Sequence, residues 1–414
     1  MNIKITLIAL AALFGCLNNL QAQTPVSKAA SKKPERTNMA IDNRLVAANN
    51  RFGFKLFDHL AKHDAGKNIF VSPSSVAFAL TMIYNGASGE TQQAMAKALE
   101  FQNMSLPEIN QANAALRSAL AGADPKVQLN IANSLWARKG FAFKPEFIKR
   151  NQDFYAAEVS TLDFGAPNAP AAINDWVNQK TNGRINKIVE TVPGDAILYL
   201  INAIYFKGNW AAQFDKSKTK EGQFTLLHGA KKKHPMMSQA GRYRYYTNEK
   251  FQAVSLPYGA GRMSLYVFLP NKNSSLNEFS ASLNAGNWED WMSQFFFAEG
   301  DIMLPRFKLE YEIVLNQALQ ALGMQAAFDP QRADFKEMSA SSSPAKMFID
   351  EVKHKTFVEV NEEGTEAAAV TSGGMRVTSY KPPFKMAVDR PFFCAIRDNQ
   401  TGTVLFMGFI VEPM

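Results

Sequence analysis

From Phe348 to Asn361 the chain alternates, with Val352, His354, Thr356, Val358 and Val360 on one face and Lys353, Lys355, Phe357 and Glu359 on the other. That spacing predicts a long strand buried on one face, so the fold must supply a sheet, a core beneath it and a place for a histidine in that core. The strand runs directly into Glu362-Glu363-Gly364-Thr365-Glu366-Ala367-Ala368-Ala369-Val370-Thr371-Ser372-Gly373-Gly374, a stretch with no aliphatic side chain larger than valine. The alternation persists there: Thr365, Ala367, Ala369 and Thr371 share one face, Glu366, Ala368, Val370 and Ser372 the other. No proline occurs from Gly364 to Lys381, so every backbone N–H can donate to a ladder. On these residues alone the segment is either a strand kept out of its sheet or an ordinary surface loop.

Helical spacing dominates the first part of the chain. Leu45, Ala48, Phe52, Leu56 and Phe57 fall on one face of a predicted helix. Val76, Leu80, Ile83 and Tyr84 fall on one face of a second, which is entered through Ser72-Pro73-Ser74-Ser75 as cap and first turn and ended by Asn85-Gly86. Amphipathic helices are also predicted over 173–189 and 315–322. Apolar runs rich in β-branched and aromatic residues over 130–136, 198–206, 263–269 and 404–411 predict buried strands. Helices and strands mix without strict βαβ alternation, so the class is α+β. The chain is 46% hydrophobic and 11% aromatic, which excludes intrinsic disorder, and no long linker or solenoid repeat divides residues 41–414, which read as one domain.

Lys4 and the apolar run from Ile5 to Gly15 read as a signal peptide, because the run is shorter than the ~20 residues a membrane span needs. Two endings fit: cleavage after Ala22, making residues 1–22 the signal, or lipid attachment at Cys16 in Leu13-Phe14-Gly15-Cys16, making it 1–15. Either way the protein is expected to be exported, to an extracellular or periplasmic location, or tethered to the outer membrane by lipid. Residues 23–40, with Pro25, Pro34 and many Lys, Ser and Ala, read as a flexible tether. Cys16 and Cys394 are the only cysteines, and Cys16 leaves with the signal or carries the lipid, so the domain has no internal disulfide and depends on its core. Cys394, in Pro391-Phe392-Phe393-Cys394-Ala395-Ile396, reads as a buried small hydrophobe.

The net charge of +8 is dispersed, apart from basic residues near the N-terminus and Lys231-Lys232-Lys233. The run Arg242-Tyr243-Arg244-Tyr245-Tyr246 interleaves cations and aromatics, but an edge strand reads the same way, so no nucleic-acid partner is expected. The sequence holds no Gly-x-Ser-x-Gly elbow, His-Glu-x-x-His pair, Cys-x-x-Cys, Walker loop or Gly-x-Gly-x-x-Gly. His59 and His63, at i,i+4 spacing, lack a third metal ligand nearby, so no metal and no cofactor is expected. The chain is not expected to be an enzyme.

Glu362-Glu363-Gly364-Thr365-Glu366-Ala367-Ala368-Ala369 resembles the hinge of the inhibitory branch of the serpins, the metastable serine protease inhibitors. The likeness extends along the chain through Asn68-Ile69-Phe70-Val71-Ser72-Pro73-Ser74-Ser75, the run from Leu200 to Trp210, Asp389-Arg390-Pro391-Phe392-Phe393 and Leu405-Phe406-Met407-Gly408-Phe409. The resemblance, closest to a secreted bacterial type, implies a serpin fold of three β-sheets and eight or nine helices with an exposed reactive-centre loop. It implies a monomer that a target serine endopeptidase, trypsin-like, elastase-like or subtilisin-like, attacks as a substrate, with cysteine proteases as a further class. The enzyme is then trapped as its acyl form when the cleaved loop inserts into the central sheet. Membrane contact is expected only through lipid at Cys16.

The same resemblance assigns residues. Ser72, Ser75, Asn202 and His354 match a buried polar cluster, the shutter, beneath the place where the sheet opens. Trp210, Arg306 and Glu362 match the breach, where the loop first enters, with an Arg306–Glu362 ion pair holding it shut. Counting from Glu362 places the scissile bond at Thr378-Ser379; counting back from Pro391-Phe392 lands nearer Tyr380. Met375, Arg376 and Val377 are neighbouring alternatives, Arg376 suiting an acidic specificity pocket and Val377 or Thr378 a small one. The alternative function is a non-inhibitory serpin acting as a chaperone or ligand carrier.

Overall fold

Two helices lay the floor of the molecule. In the computed structural model, which describes residues 40–414 apart from 184, 193–195, 197, 341–346 and 365–381, with backbone alone at 198 and 202–204, α1 (Asn43–His63) starts at Asp42, whose carboxylate accepts the backbone N–H of Arg44 at 2.9 Å. It buries Phe52, Leu56, Phe57 and Leu60. α2 (Pro73–Tyr84) begins at Ser72 with proline in its first turn, as the sequence implies, and is buried along its whole length, the place for a helix that is apolar all round. The remaining helices are α3 (Gly89–Ala98), α4 (Leu106–Leu120), α5 (Pro145–Tyr155), α6 (Ala169–Lys180), α7 (Leu276–Ser282) and α8 (Ala285–Gln294). A helical run over 316–328, interrupted at Gly323 where φ is 109°, makes nine among the described residues.

The helix expected over 173–189 stops at Lys180. Asn182 and Gly183 take left-handed backbone angles, φ 52° and 77°, and end it. Ile185, Ile188 and Val189 imitate helical spacing but lie outside any helix, in the crossover that follows α6. The Asn174 side chain holds this crossover, accepting the N–H groups of Ile188 and Val189 at 2.8 and 3.0 Å and donating to the Val189 carbonyl at 2.8 Å.

The strands, in chain order, are β1 (Ile69–Val71), β2 (Val127–Arg138), β3 (Glu158–Leu162), β4 (Leu198–Gly208), β5 (Lys220–Thr225), β6 (Lys231–Thr247), β7 (Phe251–Tyr258), β8 (Met263–Pro270), β9 (Phe296–Pro305), β10 (Phe307–Val314), β11 (Glu351–Val360), β12 (Phe384–Ala387), β13 (Phe392–Asp398) and β14 (Val404–Ile410). One sheet has five strands in the order β10-β11-β4-β2-β3. The other runs β1-β14-β13-β8-β7-β6-β9-β12, with β5 also on β6. Two of the three sheets expected for the fold are thus joined by continuous hydrogen bonding through β6, which serves β5 at its start, β9 along its middle and β7 at its end. The Arg242–Tyr246 run, whose pattern an edge strand would share, lies in β6 and pairs with β9 and, from Arg244, with β7, so it is a central strand.

The main core lies between α1, α2 and the β13–β14 pair, where Phe57 meets Phe393 and Phe409 edge-on. Cys394 is fully buried there, and burial pushes its thiol pKa up. A second cluster covers the opposite face of the five-stranded sheet: Ala132, Trp136, Tyr199, Ile201, Tyr205 and Phe357 pack against Ile173, Trp176 and Val177 of α6 and against Ile185, Ile188 and Val189. The long strand at β11 is therefore covered on both faces, not one, because α6 and its crossover lie over the face that carries Lys355 and Phe357. Among the described residues no helix is long and apolar enough to cross a membrane.

Candidate functional site: a seam in the five-stranded sheet

β11 and β4 are neighbours in space and parallel, their ladder running from Glu351↔Tyr199 to Phe357↔Tyr205. There it stops, although both strands continue. β11 stays paired with β10 as far as Phe307↔Val360, and β4 stays paired with β2 as far as Val127↔Gly208. Each strand keeps its outer partner and loses its inner one, so the sheet has a seam open at one end.

The open end is closed by the four residues that follow β11. Asn361 and Gly364 bridge one another in a tight turn, and Gly364 also bridges Asn209 just beyond β4. Only glycine fits: φ is 114°, and a Cβ would lie 2.3 Å from the Gly208 carbonyl oxygen and 2.5 Å from the Trp210 nitrogen. Trp210 donates its backbone N–H to the Glu363 carbonyl at 3.0 Å and its indole N–H to the Asn361 carbonyl at 2.9 Å, while Phe214 N–H donates to the Glu362 carbonyl at 2.9 Å. The Trp210 ring stacks on Tyr258 at 4.4 Å.

Glu362 is the electrostatic centre of this closure, with a side chain only 2% exposed. Arg306, between β9 and β10, donates from Nε to its Oε1 at 2.7 Å, and the Thr219 hydroxyl donates to the same oxygen. Burial pushes the carboxyl pKa up, but the guanidinium and the hydroxyl outweigh it and hold the group below the usual carboxylate range. Lys216 pairs with Glu363 next door.

Deeper along the seam, β11 is stitched to the floor. His354 is fully buried, and its Nε2 accepts the Ser72 backbone N–H at 3.1 Å. Burial pushes the imidazole pKa down to about 3, so the ring is neutral and carries its proton on Nδ1. The Ser72 hydroxyl donates to the Leu405 carbonyl at 2.6 Å and accepts Ser75 N–H at 3.4 Å. Thr356 donates its hydroxyl to the Phe70 carbonyl. Backbone register sets Asn202 opposite His354 across the seam.

The residues expected at the breach meet, and so do Ser72, Ser75 and His354. Thr365, Glu366, Ala367, Ala368 and Ala369 of the hinge, and Met375, Arg376, Val377, Thr378, Ser379 and Tyr380 around the scissile bond, lie outside the described residues. Downstream, Pro382 and Pro383 lead into β12, which runs parallel to β9 from Phe384↔Gly300. Sequence reasoning missed Thr219, Tyr258 and Lys216, which reach the hinge from far along the chain and carry no local signal. Thr356 sat on the correct face of the alternation, and that signal was available.

A profile of the family described as Serpin (serine protease inhibitor) matches residues 47–413. The chain belongs to the serpin family. The human leukocyte elastase inhibitor is 34% identical over 382 residues, covering 89% of this chain and 100% of that serpin. An uncharacterised serpin-like protein of Thermococcus kodakarensis is 31% identical over 433 residues, covering 99% and 98%. Among solved structures, the thermophilic serpin tengpin in its native state superposes with a TM-score of 0.83 at 33% identity, covering 90% of this chain and 95% of that one. Human thyroxine-binding globulin, complexed with its hormone, gives 0.82 at 26% identity, covering 90% and 99%. The α+β serpin fold read from the sequence is the fold of this chain.

Proposed function

We propose that this serpin is a suicide-substrate inhibitor of serine endopeptidases, using residues 365–381 as bait and the β4–β11 seam as the receiving slot. The seam carries the reading: a parallel ladder that ends while both strands continue, closed by a turn that leads directly into the small-residue segment. A segment entering between β4 and β11 exchanges one parallel ladder for two antiparallel ones, and antiparallel pairing is slightly the more stable per residue. Thr365, Ala367, Ala369 and Thr371 would form the buried face of the new strand, and none is too large to enter a closing sheet.

The protease serine attacks the Thr378 carbonyl, the peptide bond to Ser379 breaks, and the amine of Ser379 leaves with the proton. An ester then joins the enzyme to the upstream part of the loop. Insertion that outruns hydrolysis of this ester carries the enzyme away from its starting position and distorts its active site. Arg376 directs the loop towards trypsin-like enzymes, Val377 and Thr378 towards elastase-like ones, and cysteine proteases form the analogous thioester. The protein acts as a monomer in an exported setting, with residues 1–22 removed or Cys16 lipidated.

The test is to mix the protein with trypsin, neutrophil elastase and subtilisin, run denaturing gels and map the cut by mass spectrometry. A covalent band with cleavage between Met375 and Lys381 is the expected result. Clean turnover of the loop by all three, with no rise in melting temperature after the nick, would favour a carrier function instead.

A further inference from the structure

Away from the seam, α2, α4 and α5 meet at a cluster of buried amides. Asn85, which ends α2, Asn110 and Asn113 of α4 and Asn151 of α5 are all buried. Asn110 Nδ2 donates to Asn85 Oδ1 at 2.8 Å, and Asn85 Nδ2 donates to Asn151 Oδ1 at 3.4 Å. The Tyr155 hydroxyl of α5 donates to Asn110 Oδ1 at 2.5 Å. Burial pushes the Tyr155 phenol pKa up, and the Asn85 and Asn113 amides beside it offset only part of that, so the group stays a neutral donor. Arg150 of α5 adds a further link, donating to the Asn85 carbonyl at 3.2 Å.

Asn113 differs from its neighbours. Its Nδ2 donates to the Ile109 carbonyl of its own helix at 2.9 Å, while its Oδ1 is buried and meets no donor among the described residues. A buried carbonyl oxygen without a donor is costly, and few survive in a folded protein without a reason. This one lies three residues beyond Asn110 on the same face of α4, about 4.5 Å further along the helix axis.

A strand admitted between β4 and β11 moves them apart by one inter-strand spacing, about 4.8 Å. α4 leads through residues 121–126 into β2, and α5 through 156–157 into β3; β2 is paired with both β3 and β4, so the two helices travel with the β4 side of the seam. α2 starts in the floor instead, where Ser72 is bonded to His354 of β11 and to Leu405 of β14. Opening therefore shears α4 and α5 past the far end of α2, where Asn85 stands. The displacement asked of that contact is close to the step from Asn110 to Asn113.

On the reading of the seam as the slot for the loop, we infer that Asn85 is a ratchet: it holds Asn110 while the sheet is closed and donates to the waiting Asn113 Oδ1 once a strand has entered. Interlocked apolar side chains resist such a slip, whereas an amide that leaves one partner finds another one turn away. The Tyr155–Asn110 bond joins two helices that move together and persists through the step.

The probe is a synthetic peptide with the sequence of residues 365–376, whose uptake is followed on native gels and needs no protease. Asn113→Leu removes no bond between helices from the closed form and should keep the urea midpoint at or above the wild-type value, yet slow uptake about fivefold to tenfold, the worth of one hydrogen bond. Asn110→Leu removes the closed-state partner and should speed uptake by a similar factor. The gain in melting temperature on peptide loading should shrink for Asn113→Leu and grow for Asn110→Leu, whereas a purely structural role shifts the closed and loaded forms alike. A crystal structure of the peptide-loaded or loop-cleaved protein should show Asn85 on Asn113. Uptake by Asn113→Leu within twofold of wild type, equal shifts in the two forms, or Asn85 still on Asn110 in the loaded structure overturns the ratchet and leaves the inhibitor reading standing. A wild-type protein that takes up no peptide and forms no covalent band overturns both. If Asn110→Leu fails to fold, Asn113→Leu and the loaded structure decide alone.

Discussion

Replacing Arg306 by methionine leaves the Glu362 carboxylate buried at the mouth of the seam with, among the described residues, the Thr219 hydroxyl as its remaining side-chain hydrogen-bond donor. Removing one member of a fully buried pair costs ~3–5 kcal/mol. Arg306 is 43% exposed, so solvent already screens part of its attraction, and about 2 kcal/mol is the reasonable figure here. If the hinge must leave its place before the loop enters, that loss appears in the rate of spontaneous insertion, and at 1.4 kcal/mol per factor of ten it amounts to about thirtyfold. The assay is conversion to a heat-stable form at pH 7.5, followed on native gels and by the melting transition. The pH dependence gives the sign. In wild type the Glu362 pKa is held below its ordinary value, so the pair is intact above about pH 4.5 and is lost only as pH falls through the lowered folded value. In the variant burial acts without the guanidinium, the carboxyl pKa rises, and acidification from pH 7.5 to 5 neutralises it. The variant should therefore approach the wild-type rate over that window. Equal rates at pH 7.5, or a gap that stays constant down to pH 5, would refute the reasoning.

Other perturbations test neighbouring parts of the site. His354→Leu removes the acceptor of the Ser72 N–H and should cost ~1–3 kcal/mol at pH 7.5 in urea unfolding. Because the folded wild-type pKa is depressed to about 3, the wild-type histidine contributes stability above pH 6.5 and loses up to about 1.4 kcal/mol per unit as pH falls towards 3. The gap to the leucine variant must narrow on acidification, and a widening gap would contradict a neutral buried ring. Gly364→Ala forces a Cβ against the Gly208 carbonyl at a positive φ, and a loss of ~1–3 kcal/mol is expected, read from the same unfolding curves. The Cys394 thiol, fully buried with a raised pKa, should be silent to a thiol reagent in the native protein and titrate only after denaturation.

Local physics was legible in the sequence. The proline at the start of α2, the inward face of β11 and the buried Cys394 each follow from a few adjacent residues. Arg306 and Glu362, 56 residues apart, were paired only through family resemblance, since neither carries a local mark of the other. What covered the second face of β11 was not legible, because α6 and its crossover come from far upstream and Lys355 looks like any solvent-facing lysine on a strand. The end of α6 was missed for a different reason: Ile185, Ile188 and Val189 keep helical spacing while Asn182-Gly183 has already turned the backbone. The central place of the Arg242–Tyr246 run could not be told from an edge, since periodicity reports a strand's faces and says nothing of its neighbours.

The two feet of the proposed reactive segment stand on different sheets. The hinge rises from β11 in the five-stranded sheet, whereas β12 belongs to the nine-stranded one, and the two ladders share no strand. A single cut between the feet leaves the downstream piece contributing β12, β13 and β14, two of them flanked on both sides within the main core. That piece is a structural subunit of the whole and is expected to stay docked as a complementing fragment. A cut at the proposed site should therefore sever the chain without dividing the particle, with the two fragments travelling together through any separation that leaves the core folded.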